Sequence, residues 1–233
     1  MHARILHPLV YLFEFFPIAF SALFPLINPF GSAIIFLGLV GPADQVVYRR
    51  LARGVAWRTV LFLVVVDLVG ALILTFFGIS LPVIQVAGGL VLASMGWQLL
   101  NKPDADVQPA EAPHPADSIA SLDSKLFYPF TFPLTAGPGT VVVTLTLAAH
   151  AEEHLTIDSV FSQLGLFLAI VVLCVMVYFT YSYAPAISRK ISPQTVHGIL
   201  RIIAFILLAI GVQIFWRGAE LLIQQALHPL PMS

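Results

Sequence analysis

Of the 233 residues, 59% are hydrophobic and 10% are charged, with a mean hydropathy of +0.94, whereas a soluble domain carries roughly 25% charged residues. A water-facing surface cannot be assembled from that composition, and a formal net charge of −1 gives no footing for a nucleic-acid partner. The one cysteine, Cys174, lies in an apolar run, which excludes an internal disulfide, a CxxC redox pair and a cysteine-based zinc site.

A helix needs about 20 mainly apolar residues to cross about 30 Å of hydrocarbon. Runs of that kind lie near 17–41, 55–78, 81–101, 126–149, 160–183 and 199–221, so the sequence predicts an all-α membrane protein of six spans. No small-residue cleavage site follows the first run, which is expected to be retained, with part of 5–16 in the interface.

Between the third and fourth runs, Pro103, Pro109, Pro113 and Pro115 are interleaved with Asp104, Asp106, Glu111, Asp117 and Asp123. That composition resists packing, so 102–124 reads as a flexible linker between a first unit, 1–101, and a second, 125–233. Arg49, Arg50, Arg53, Arg58, Lys102, Lys125, Arg189, Lys190 and Arg201 flank the odd-numbered connections, against Arg4 and Arg217 on the other side. This bias sets the linker in the cytoplasm and both termini outside.

The two units resemble each other. Residues 24–39, FPLINPFGSAIIFLGL, align without gaps to 132–147, FPLTAGPGTVVVTLTL, at a constant offset of 108. LASMGWQ at 92–98 echoes LLAIGVQ at 207–213 at an offset of 115, pairing Gly96 with Gly211 and Gln98 with Gln213. With three spans per unit, the second unit enters the membrane in the opposite sense, giving two inverted three-helix repeats.

The first span of each repeat is interrupted mid-membrane, by Asn28-Pro29-Phe30-Gly31 and by Ala136-Gly137-Pro138-Gly139. Proline removes a backbone donor and glycine permits close backbone approach. A restarting helix leaves free N–H groups at a partly positive end, which suits a carboxylate. Asn28 is placed to cap the first restart, and Thr135 to play a similar part in the second. The candidate substrate-binding set is therefore Asn28, Gly31, Ser32, Thr135, Gly137, Gly139 and Thr140, presenting donors to one central space. The competing reading is that both clusters only kink their helices.

Asp67 stands near the middle of the second run, where an ionised carboxylate costs on the order of 2.5–3.5 kcal/mol unless hydrated, paired or protonated. It is the proton-coupling candidate, the alternative being a packing hydrogen bond to a neighbouring helix. Gln98 and Gln213 read as interhelical hydrogen-bonding residues ahead of substrate contact, and Gly88, Gly89, Ala93 and Gly96 as close-packing positions. No histidine or cysteine pattern suggests a metal, and no cofactor is implied.

NPFGS at 28–32, FPLTAGPGT at 132–140, FGISLP at 77–82 and AGG at 87–89 together resemble the MarC integral membrane family over nearly the whole chain outside 102–124. The resemblance implies a multi-pass inner-membrane protein akin to amino-acid exporters, some members being regarded as transporters of small neutral amino acids such as glycine and alanine. Its pattern carries onto Asn28, Pro29, Gly31, Gly88, Gly89, Gly137, Pro138 and Gly139. Asp67 lies outside that pattern. The expected activity is alternating-access transport of a small solute across the lipid bilayer, with the oligomeric state left open. A channel or a non-transporting membrane scaffold is the alternative. An enzyme is disfavoured, because no GxSG or GxGD motif occurs and no nucleophile stands with a base.

Overall fold

A computed structural model describes residues 3–101, 119–152, 157–190 and 193–227. The described residues form helices throughout, without a strand: α1 (Ala3–Ile27), α2 (Pro29–Val40), α3 (Gln45–Phe76), α4 (Leu81–Leu100), α5 (Ile119–Ser124), a π-wound segment (Leu126–Thr135), α6 (Pro138–Glu152), α7 (Ile157–Ser182), α8 (Ala184–Lys190) and α9 (Pro193–Leu227). Most of the 102–124 linker lies outside the described residues. Its end forms α5, tied to α3 by an ion pair between Arg50 and Asp123.

Among the described residues, four spans are long and apolar enough to cross a membrane: Val10–Val40, Leu81–Leu100, Asp158–Ser182 and Arg201–Leu227. The bent pair Leu126–Thr135 and Pro138–Ala149 makes a fifth if counted as one span. The remaining run, 55–78, lies on α3, which is not in that group. Its first half carries Arg49, Arg50, Arg53 and Arg58, and its second half carries Asp67.

The core forms where α1, α2, α3, the π segment and α7 converge. Leu23, Ile27, Phe36, Leu51, Leu63, Phe130, Leu166, Ile170 and Tyr181 are all fully buried there. Outside it, Leu72, Phe76, Ile202, Phe205 and Trp216 are exposed, as side chains facing hydrocarbon would be. α1 packs on α7 and the π segment on α3, α2 on α7 and α6 on α3, while α3 also packs on α7 and α4 on α9.

The α4–α9 pair is the most extensive and runs antiparallel through a seam of small residues. A Cβ on Gly89 would come within 2.4 Å of the Phe215 backbone nitrogen and 2.7 Å of the Gly211 carbonyl oxygen. A Cβ on Gly96 would come within 2.8 Å of the Ala204 carbonyl oxygen, and one on Gly218 within 2.7 Å of the Pro82 carbonyl oxygen. Pro82, Gly89 and Gly96, like Ala204, Gly211 and Gly218, recur every seven residues, which keeps one stripe facing the partner. In lipid there is little hydrophobic drive between helices, so association depends on backbones approaching this closely. The packing role expected for Gly89 and Gly96 holds. Gln98, by contrast, bonds within its own helix, its Nε2 donating to Ser94 Oγ at 3.0 Å, because its partner lies one turn back on an exposed face.

Candidate functional site

The first interruption is a single residue. The position before a proline is disfavoured in the right-handed helical conformation, and Asn28 escapes to the left-handed region at φ 45° and ψ 65°, which asparagine tolerates better than most side chains. Its Oδ1 accepts from the Gly31 N–H at 3.0 Å, an N-cap bond worth about 1 kcal/mol. Pro29 follows at the first helical position, where its missing N–H costs nothing. Gly31 is glycine for a steric reason: a Cβ there would lie 2.2 Å from Asn28 Nδ2. Ser32 donates its hydroxyl to the Asn28 carbonyl at 2.7 Å. The expected irregular stretch 28–31 thus shrinks to Asn28, because one capping side chain satisfies the restart within its own first turn.

The second interruption is much longer. Pro129 and Pro133 remove two ladder donors, and the residues before them are forced extended, Tyr128 at φ −117°, ψ 124° and Phe132 at φ −118°, ψ 129°. Both X–Pro bonds are cis. The backbone continues with bonds five residues long, from Phe130 N–H to Lys125 O at 3.3 Å and from Ala136 N–H to Thr131 O at 2.9 Å. Threonine hydroxyls replace missing donors: Thr131 Oγ1 donates to Leu126 O at 2.8 Å and Thr135 Oγ1 to Phe130 O at 2.7 Å. Thr135 therefore closes the π segment behind it and does not cap α6 ahead of it. After Ala136 and Gly137, α6 restarts at Pro138 with the axis turned by 68°.

The two interruptions meet at Tyr181 on α7. Its hydroxyl donates to Thr135 Oγ1 at 2.8 Å, because the Thr135 hydrogen is spent on the Phe130 carbonyl. Its ring stacks on Phe36 at 4.4 Å between centroids, and the Phe130 ring meets Phe36 edge-on at 5.1 Å. Ser32, Thr135 and Tyr181 are almost fully buried. This closed polar node joins α2, the π segment and α7, the Tyr181 ring packing on Phe36 and its hydroxyl bonding Thr135, while the Ser32 and Thr135 hydroxyl hydrogens go to backbone carbonyls.

Not every candidate enters the node. Gly31 is occupied with the Asn28 cap. Gly139 faces α4, where its Cβ would lie 2.1 Å from Leu92 Cδ2. Thr140 is buried on α6, and its carbonyl accepts from Thr144 Oγ1 at 2.8 Å. Gly137 accepts through its carbonyl from Val141 N–H at 3.2 Å. Asp67 lies outside the node on the α3–α7 contact, 5% exposed, with Gln163 Nε2 donating to its Oδ1 at 2.5 Å. The Gln163 Oε1 is buried without a partner. A sequence reading built on repeats misses both Tyr181 and Gln163, which lie on the unbroken α7. The polar trio Thr180-Tyr181-Ser182 at the end of an otherwise apolar helix was the available signal.

Broken and unbroken apolar helices around a buried polar node, with large apolar side chains facing outward, define a multi-pass α-helical membrane protein. The family described as MarC family integral membrane protein matches residues 13–223, and the chain belongs to that family. Relatives named inner membrane protein MarC from Escherichia coli strain K12 and from Shigella flexneri are each 26% identical over 209 residues, covering 89% of this chain and 95% of the relative. With those relatives and these apolar helices, the chain is an inner-membrane protein. No solved structure matches it.

Proposed function

We propose that the chain is a secondary transporter of small solutes, with small neutral amino acids as the preferred class, working by alternating access between two inverted three-span repeats. The observation that carries this reading is Tyr181, which stacks on Phe36 of the first interrupted helix and hydrogen-bonds Thr135 of the second. A solute entering there would exchange its own polar groups for bonds the node now makes with itself, at little net cost. The described packing is then an occluded form.

The pattern of packing supports the repeat. At the offset of 115, Gly89 corresponds to Ala204 and Gly96 to Gly211. The Gly89–Gly211 approach is therefore exchanged with the Ala204–Gly96 approach, as a pseudo-twofold axis in the membrane plane requires. The π segment on α3 answers α1 on α7, and α6 on α3 answers α2 on α7. In this scheme α3 supplies the sixth span, and the linker is cytoplasmic with the termini outside.

Asp67 is the proton-coupling candidate, its carboxyl held by Gln163 across the α3–α7 contact that the repeats share. Asp67→Asn is expected to keep solute binding and to flatten the pH dependence of uptake. An unchanged rate and pH profile would leave Asp67 a packing residue. The transporter reading itself is tested by counterflow in proteoliposomes loaded with alanine. Saturable, trans-stimulated uptake is expected, whereas linear, non-saturable flux would favour a channel and no flux a scaffold.

A further inference from the structure

A second polar feature lies away from the node. Between α1, α4, α6 and α9 is a cavity of about 410 Å³, large enough for a small organic solute. Gln85 of α4 lines it, only 1% exposed, and the Gln85 Oε1 is buried without a hydrogen-bond partner. Buried polar atoms are nearly always paired, so an orphan acceptor on a cavity wall points to a donor that arrives with a ligand.

The rest of the polar wall has a consistent sense. Ser21 on α1 and Thr146 on α6 spend their hydroxyl hydrogens on the Ile18 carbonyl at 3.0 Å and the Val142 carbonyl at 2.9 Å. The α9 side supplies the Arg217 guanidinium and the Gln213 amide. Oxygen acceptors stand on α1, α4 and α6, the cation stands on α9, and no lining residue is acidic. A guanidinium is matched to a carboxylate, and an amide oxygen to an ammonium. The remaining wall is apolar and would take an uncharged side chain.

We infer that this cavity binds a neutral α-amino acid, its carboxylate on Arg217 and its ammonium on Gln85 Oε1. The site is separate from the Tyr181 node, none of whose residues lines it. Val143 and Thr146 of α6 line it, one and two turns beyond Thr140, so a solute held here is next to the second interruption.

The test is equilibrium binding of tritiated leucine and alanine to the purified full-length protein in detergent. Saturable binding is expected. Gln85→Met and Arg217→Gln should each weaken it at least tenfold. In competition, 4-methylpentanoate, which lacks the ammonium, and 3-methylbutylamine, which lacks the carboxylate, should each be at least tenfold weaker than leucine.

Absence of saturable binding of both amino acids overturns the inference. So does binding by both variants within twofold of the parent, or competition by either single-charge analogue as strong as that by leucine. Should Gln85→Met fail to fold, alkylation of Thr146→Cys in a Cys174→Ala background decides the matter: leucine should slow it at least fivefold, and an unchanged rate overturns the assignment. If the cavity variants bind as the parent does while Thr135→Val loses binding, the cavity site falls and the node remains the solute site.

Discussion

The two interruptions occupy the same place in the repeat yet are built differently. At the first, Asn28 alone leaves the helix, and Val10–Val40 still runs as one 31-residue span. At the second, ten π-wound residues precede a 68° turn. Pro25 aligns with Pro133, so that proline is common to both and cannot explain the difference. What differs is the pair Ser21 and Pro129 and the residue before the restart proline, Asn28 in the first interruption and Gly137 in the second. Pro129 removes a second ladder donor one turn before Pro133, and Gly137 has no side chain with which to cap the restart. An interruption with a cap stays local; one with two prolines and no cap spreads backward until threonine hydroxyls close it.

The largest expected effect tests what the halves share. Gly89→Leu forces a side chain against the Phe215 backbone at a place where α9 cannot yield, and overpacking of this kind should cost about 3 kcal/mol or more. Loss of monodisperse protein on size-exclusion chromatography is the expected result, whereas Gly198→Ala, where a Cβ meets nothing within 4 Å, should purify normally. Equal behaviour of the two would mean that the small-residue seam does not hold the halves together.

Asn28→Ala comes next. It removes the cap and places alanine in a left-handed conformation, together about 2 kcal/mol. Asn28→Gly loses the cap but accepts the backbone, and should cost only a few tenths of a kcal/mol. Thermal unfolding in detergent should rank parent, glycine and alanine in that order. If alanine is as stable as glycine, the left-handed turn is not what constrains this position. In the second interruption, Thr135→Val should cost about 2 kcal/mol, from one net hydrogen bond to Phe130 and one to Tyr181. Gly137→Asn, which adds a potential cap before Pro138, should not destabilise. A fall in melting temperature with Gly137→Asn would show that the missing cap is not what sets the two interruptions apart.

The local chemistry of the first interruption is legible in the sequence, whereas the cap expected of Thr135 in the second is not found. The Asn-Pro-x-Gly spacing implies a cap, and the apolar runs mark the crossing helices because each depends on neighbouring residues alone. The extent of the second interruption was less legible, since Pro129 and Pro133 act jointly through a ladder that must be seen to be counted. The partners of Thr135 and Asp67 could not be read at all. Tyr181 is 46 residues from Thr135, and Gln163 is 96 residues from Asp67. Such pairs are set by how α7 packs between the repeats, which no local pattern encodes.

The central claim is that solute passes where the two interrupted helices share Tyr181, and Tyr181→Phe tests it with the loss of one oxygen atom. The ring and its stacking on Phe36 are kept, so the melting temperature should fall by no more than a few degrees, in line with about 1 kcal/mol for one buried hydrogen bond. The decisive measurement is alanine counterflow in proteoliposomes carrying equal amounts of the parent and of Tyr181→Phe. At least a tenfold lower initial rate is expected in the variant; an equal, saturable rate in both would contradict passage of solute at Tyr181.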